Sequence, residues 1–223
     1  KFPEVLFESC ASGGGRFDPG LLYYAPQGWA SDDSDAVERL KIQYGTSMCY
    51  PISSIGSHVS VVPNHQVFRN TPLHTRANVA CFGTFGYELD LNKLTGEELQ
   101  EVREQIVFMK EYRELLQFGT FYRIKSPFEE NETVWMSVSR DQKTALVGYY
   151  RVLNGANLPY SRVRLQGLNP DFLYENIYNG TEHYGDELMN YGLITTDGSA
   201  GEIADAACTD FESRIYLLKA KEA

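Results

Sequence analysis

The sequence predicts an α/β segment followed by an all-β domain, with the change near residue 118. Three observations carry this. Before residue 118, short apolar runs alternate with stretches whose apolar residues recur at helical spacing, as in βα units. At Gly119 the period drops from 3.6 to 2, and strand-like runs follow one another through Gly-, Pro- and Asn-rich turns. Finally, Glu8-Ser-Cys-Ala-Ser-Gly-Gly-Gly-Arg16 and Trp29-Ala-Ser-Asp-Asp-Ser-Asp35 set a glycine-rich loop and an acidic helix start after apolar runs. A barrel or α/β sheet presents its chemistry in this way, at the carboxyl ends of its strands.

Taken in order, residues 4–9 read as a short buried strand. A Pro/Gly/Tyr-rich loop leads to a helix from Asp32 to Tyr44, which Ser31 or Asp32 can cap. Carboxylates fill its first turn, Val37, Leu40 and Tyr44 recur at helical spacing, and Gly45 is the stop signal. Residues 47–54 are the next strand candidate, with Pro51 counting against it. Gly56 to Asn70 reads as loop, and a short helix bearing Val79 and Phe82 falls between Thr75 and Tyr87. Thr95-Gly-Glu-Glu98 has the form of a capping box. It opens a helix to Phe118 whose apolar stripe is Leu99, Val102, Ile106, Met109 and Leu116. Strands are then expected at 120–125, 132–140, 143–153, 160–166, 172–178 and 211–219, as an antiparallel sheet or sandwich.

A complete (β/α)8 barrel takes roughly 250 residues, so residues 1–118 hold about two or three of its units. The segment Lys1-Phe-Pro-Glu-Val-Leu-Phe7, with no initiator Met and no targeting character, reads as the start of a piece cut from something longer. The expected organisation is therefore 1–118 as the carboxyl-terminal part of a (β/α)8 barrel and 119–223 as an antiparallel β-sandwich domain.

Composition narrows the function. With 223 residues the chain can bury a sizeable core, and 43% hydrophobic with 22% charged residues is the balance of a globular protein. The net charge of −10 argues against nucleic acid or an anionic membrane as partner and suits a neutral ligand. No apolar run reaches the roughly 18–20 residues of a membrane span. Cys10, Cys49, Cys81 and Cys208 are widely spaced, with no CxxC and no Cys/His cluster, so neither zinc nor a disulfide framework is expected. Free thiols in a reducing, cytoplasmic compartment are the default. The 15 Tyr, 12 Phe and 2 Trp fit a Tyr-rich antiparallel sheet first and a sugar-binding surface second. The sequons Asn131-Glu-Thr133 and Asn179-Gly-Thr181 carry little weight without a signal peptide.

The acid-rich turn admits two readings. Asp32, Asp33 and Asp35 at a helix start complement the helix dipole and cap free N–H groups. Equally, like charges this close, beside the indole of Trp29, create the surroundings that a general acid needs. Glu38 and Arg39 follow and can orient or balance the cluster. Cys10 lacks a nearby His to activate it as a nucleophile, and Gly13-Gly-Gly15 lacks the spacing of a phosphate loop. The glycines instead let backbone approach a ligand closely, with Cys10 as a pocket wall. His58, His65 and His74 lack metal-ligand spacing and read as structural or hydrogen-bonding residues.

Several long strings together resemble one family. They are Phe7-Glu-Ser-Cys-Ala-Ser-Gly-Gly-Gly-Arg-Phe-Asp-Pro-Gly20, Trp29-Ala-Ser-Asp-Asp-Ser-Asp-Ala-Val-Glu-Arg-Leu-Lys-Ile-Gln-Tyr-Gly-Thr46, Gly56-Ser-His-Val-Ser60 with Pro63-Asn-His65, Pro72-Leu-His-Thr-Arg76 and Phe82-Gly-Thr-Phe-Gly-Tyr-Glu-Leu-Asp90. They are similar to the bacterial-type α-galactosidases of glycoside hydrolase family thirty-six, closely up to about residue 118 and more loosely beyond. The resemblance implies the last strands and helices of a (β/α)8 TIM barrel followed by a C-terminal antiparallel β domain. It implies retaining hydrolysis of terminal α-linked galactose, from oligosaccharides such as raffinose or melibiose, without a cofactor or metal.

By motif position, the resemblance makes Asp32 the acid/base, with Asp33 one register step away. Cys10 and Gly13 match positions lining the galactose pocket, and Trp29 matches an aromatic near the leaving-group subsite. The family's nucleophile lies in a Lys-Trp-Asp-type motif that this chain lacks. Retaining chemistry needs two carboxyls about 5–5.5 Å apart, so the isolated chain is expected to be inactive. Family members are often tetramers, which extends the expectation to a homo-oligomeric parent. The alternatives are a non-catalytic carbohydrate-binding or assembly module, or part of a related α-N-acetylgalactosaminidase.

Overall fold

The computed structural model describes residues 2–10, 17–156, 160–196 and 210–221. The chain divides into two compact units, Lys1–Gln117 and Phe118–Ala223.

In the first unit, strands alternate with helices: β1 (Glu8–Cys10), β2 (Gln27–Trp29), α1 (Ala36–Thr46), β3 (Gly56–Ser60), α2 (Leu73–Ala80), β4 (Thr84–Glu88) and α3 (Gly96–Phe118). Among the described residues every strand pairing in this unit is parallel. Cys10 lies opposite Trp29, a single bridge joins Gly28 to Ile55, and β3 pairs with β4 from Gly56–Thr84 to Ser60–Glu88. Parallel strands place all their carboxyl ends on one side, which is where Cys10, Trp29, Ser60 and Glu88 stand. The core here gathers Val59, Leu73, Ala77, Ala80 and Val102.

Several elements differ from the sequence expectation. Residues 47–54 hold no strand: Pro51 precedes a short 3-10 turn at Ile52–Ser54. The strand is instead Gly56–Ser60, which the sequence reading assigns to a loop. Its serines are buried by bonding rather than by hydrophobicity. Ser57 Oγ donates to Gln43 Oε1 at 2.7 Å and Ser60 Oγ to the Ser34 carbonyl at 2.9 Å. Such a strand is silent to a search for apolar periodicity. Helix α1 begins at Ala36 and its cap is Asp35, not Ser31 or Asp32; the helix also runs through Gly45 to Thr46. Of the first expected strand (4–9) only Glu8 and Ser9 are formed, as part of β1 (Glu8–Cys10). Val5, Leu6 and Phe7 are exposed, and β1 pairs with β2 alone among the described residues. The capping box does form. Thr95 N donates to Glu98 Oε2 at 2.8 Å, and Glu98 N donates to Thr95 Oγ1 at 3.2 Å.

The second unit is an antiparallel six-stranded sheet in the order β10-β9-β12-β7-β6-β5. Its strands are β5 (Thr120–Lys125), β6 (Glu132–Val138), β7 (Thr144–Arg151), β9 (Leu173–Asn176), β10 (Thr181–Tyr184) and β12 (Glu212–Ala220). A separate pair joins β8 (Ser161–Val163) to β11 (Leu193–Thr196), and α4 (Gly185–Asn190) completes the unit. Val134, Met136, Val147 and Tyr149 from the central strands pack with Val163, Leu188 and Leu193, so the β8–β11 pair and α4 contribute to the core. Tyr149, Tyr150, Tyr174 and Tyr216 are all buried, which gives much of the aromatic excess a structural use.

Three of these elements, β10, α4 and β11, escape the sequence reading. Strand β10 is a polar, largely exposed edge, α4 has only six residues, and β11 has only four. Gly185 starts α4 because a Cβ there would meet the Asn169 carbonyl oxygen at 2.0 Å. No helix among the described residues is long and apolar enough to cross a membrane.

Candidate active site

The carboxyl ends of β2, β3 and β4 carry a row of packed groups. Trp29 is opposite Gly56 on β3, where a Cβ would come within 2.9 Å of the indole. His58 is opposite Gly86 on β4, where a Cβ would come within 2.8 Å of the imidazole. Each ring thus leans on the strand beside it because that strand supplies a glycine. The two rings stack with centroids 4.4 Å apart. Arg39 lies 4.0 Å from the indole centroid, and Glu88 approaches His58 Nδ1 at 3.6 Å. Arg39, Trp29, His58 and Glu88 therefore form a continuous layer. Only 8% of Trp29 is exposed, so its ring supports the site and is not an open stacking platform.

Arg39 is 2% exposed and donates from Nη2 to the Ser31 carbonyl at 2.7 Å and from Nη1 to the Gly56 carbonyl at 3.2 Å. Burial brings its guanidinium down to about 10, against the carboxylates of Glu88, Asp33 and Asp32, which act the other way. The arginine fastens the loop after β2 to the start of β3.

The acids of that loop divide by what they bind. Asp35 is buried and its Oδ2 accepts from Val37 N at 3.0 Å and Glu38 N at 3.1 Å, capping α1. The same oxygen pairs with Arg69, from the loop after β3. Dipole and cap thus account for Asp35. Asp33 Oδ1 accepts from Asp35 N at 3.1 Å, and Asp33 N donates to Ser31 Oγ at 3.1 Å. Asp32 is exposed, and no hydrogen bond reaches its carboxylate among the described residues. Its peptide is nonetheless held: Gln66 Nε2 donates to the Asp32 carbonyl at 3.1 Å, one residue after the carbonyl that Arg39 holds.

Of the other sequence candidates, Cys10 is an exposed free thiol at the end of β1, opposite Trp29. Gly13 lies outside the described residues, as does Cys208. Gln66 and Arg69 carry no motif of their own, and Glu88 lies inside the Phe82–Asp90 string without a role assigned to it; all three are recruited by tertiary structure. A local signal for them is Asn64, whose Oδ1 accepts from Gln66 N and Val67 N and folds that loop back.

The described thiols differ in reactivity. Burial pushes the Cys81 thiol up to about 12, whereas Cys10 and Cys49 are exposed. Iodoacetamide on the native protein is expected to label Cys10 and Cys49 and to spare Cys81 until denaturant is added, read by peptide mass mapping. Prompt native labelling of Cys81 would contradict its packing.

Comparison with known proteins decides the family. The Melibiase family model matches residues 1–119, and the glycosyl hydrolase family 36 C-terminal domain matches residues 132–218. The chain belongs to glycoside hydrolase family 36. It is 55% identical over 221 residues to α-galactosidase AgaA of Geobacillus stearothermophilus, and 45% identical over 219 residues to α-galactosidase 1 of Pediococcus pentosaceus. These alignments cover 99% and 98% of this chain but 29% of each relative.

A crystal structure of an AgaA variant with raffinose superposes with a TM-score of 0.91 at 54% identity, covering 99% of this chain and 29% of that one. The α-galactosidase of Lactobacillus brevis gives 0.91 at 50% identity, covering 100% of this chain and 30% of that one. The family 36 chain therefore has the fold of the end of a (β/α)8 barrel followed by an antiparallel β domain. It spans under a third of the length of these relatives.

Proposed function

We propose that this chain is the carboxyl-terminal part of a retaining α-galactosidase, with residues 1–118 ending the catalytic barrel and 119–223 forming the β domain. Its substrates are terminal α-galactosides of the raffinose and melibiose type. Asp32 is the acid/base: it protonates the departing glycosidic oxygen, then takes a proton from the incoming water. Cys10 and Gly13 line the galactose pocket, and Trp29 backs the leaving-group side. The nucleophile is supplied by sequence upstream of Lys1.

One observation carries the choice of Asp32. Asp35 is committed to a helix cap and an ion pair and Asp33 to a loop hydrogen bond, while the Asp32 carboxylate is exposed and has no hydrogen-bond partner among the described residues. A carboxyl with no internal partner is available to exchange a proton with substrate and then with water. The raffinose bound to the AgaA variant supports the substrate class.

The purified chain alone is expected to show no hydrolysis of a nitrophenyl α-galactoside, whereas the intact enzyme that carries it hydrolyses both that substrate and raffinose. Sustained turnover by the isolated chain, at verified mass and purity, would refute the division of the two carboxyls between segments. Preference of the intact enzyme for an α-N-acetylgalactosaminide would refute the substrate.

A further inference from the structure

We propose that Arg39 is a positioning residue for the acid/base: by holding the Ser31 and Gly56 carbonyls it fixes the direction in which the Asp32 side chain leaves the backbone. The inference rests on the reading of Asp32 as acid/base. Arg39 does not touch the reacting atoms and acts entirely through the peptide before Asp32.

The geometry is specific to a guanidinium. Nη2 reaches the Ser31 carbonyl at 2.7 Å and Nη1 the Gly56 carbonyl at 3.2 Å, so one planar group spans the loop after β2 and the first residue of β3. The Trp29 indole, 4.0 Å away, keeps that plane in place. Gln66 holds the Asp32 carbonyl at 3.1 Å, so the two peptide oxygens around the Asp32 Cα are both anchored by side chains. The carboxylate itself has no internal hydrogen bond among the described residues, so its aim depends on the backbone beneath it.

An arginine this deeply buried is costly to desolvate, and burial indeed lowers its proton affinity. Among the described residues it makes no ion pair within salt-bridge distance, and the carboxylates of Glu88, Asp33 and Asp32 act on it from further off. A residue serving stability alone is readily replaced by an apolar one at such a site. Fastening two carbonyls at once is what an apolar residue cannot do. Lysine cannot do it either, because its ammonium is a point charge without the planar fork.

The test uses the intact enzyme with Arg39→Lys, Arg39→Met and Asp32→Asn, each assayed on raffinose and on a dinitrophenyl α-galactoside. The aryl group leaves as a stable phenolate and needs no proton, so kcat/KM for it bypasses the general acid. Arg39→Lys is expected to lower kcat/KM for raffinose about 10- to 100-fold, the scale of a misplaced catalytic group, with the aryl substrate little changed. Arg39→Met is expected to do the same; should it fail to fold, Arg39→Lys decides alone. An equal fall on both substrates marks a general loss of structure and overturns the proposal, as does unchanged raffinose turnover. Asp32→Asn separates the two readings. If it fails to discriminate between the substrates, the acid/base assignment is wrong. If it discriminates and the Arg39 variants do not, only the positioning role falls.

Discussion

Asp32→Asn is expected to lower raffinose turnover by the intact enzyme about 10²- to 10⁴-fold, the usual contribution of a positioned general acid/base. The amide matches the carboxyl in size and lies on an exposed loop, so packing should survive. It has no proton to give to the departing sugar oxygen and cannot take one from water. The two chemical steps should then separate. With an activated aryl galactoside, formation of the galactosyl-enzyme proceeds unaided while its hydrolysis lacks a base, so kcat falls more than kcat/KM. Azide, which needs no base, should restore turnover and yield galactosyl azide. Asp33→Asn should behave differently, since the amide oxygen can still accept from Asp35 N. Near-normal raffinose turnover in Asp32→Asn, with collapse in Asp33→Asn, would move the role one residue along.

Which parts of this were legible in the sequence follows from how local their causes are. Helix α3 was readable because Thr95 and Glu98 cap it within four residues and its apolar stripe repeats each turn. Strands β5, β6, β7 and β12 were readable from period-two runs between turns. Strand β3 was not. Ser57 and Ser60 are buried through bonds to Gln43 and Ser34, 14 and 26 residues away, which no pattern of apolar residues announces. The cap of α1 failed for a related reason. Ser31, Asp32 and Asp35 are all chemically able to cap, and Arg69, 34 residues on, pairs with the one that does.

The candidate site divides in the same way. The acid-bearing loop is contiguous, so Asp32 and its rivals were visible as a cluster. Its supports are not contiguous. His58 stacks on Trp29 because β2, β3 and β4 run side by side, with Gly56 on β3 beside the indole and Gly86 on β4 beside the imidazole. That register exists only once the strands have paired. Gln66 reaches Asp32 because Asn64 turns the loop after β3 back on itself. Charge clusters thus announce where chemistry sits, while the groups that aim it are hidden until the chain folds.

The β domain offers the largest expected effect on stability. Glu212→Leu should cost about 3–5 kcal/mol, the penalty for stranding a buried charge. Glu212 stands opposite Arg151 on β7, and Arg151 stands opposite Glu132 on β6, so charges of alternating sign run across three adjacent strands. The Arg151 and Glu212 side chains are only 2% and 4% exposed, and Glu212 pairs with both Arg151 and Arg214. The row continues outward. Tyr149 donates to Glu132 at 2.7 Å, Lys125 Nζ lies 2.7 Å from the other Glu132 oxygen, and Arg214 donates to the Thr195 carbonyl at 2.8 Å. Leucine fills the space but removes the Glu212 carboxylate that pairs with buried Arg151. Replacing Arg151 and Glu212 together by leucine should therefore cost less than the sum of the single changes, because the pair's desolvation disappears with it. Urea unfolding followed through Trp135, which is fully buried in the same unit, measures both. A single-variant loss under about 1 kcal/mol would mean the pair behaves as an exposed one. A strictly additive double variant would mean that Arg151 and Glu212 do not depend on one another.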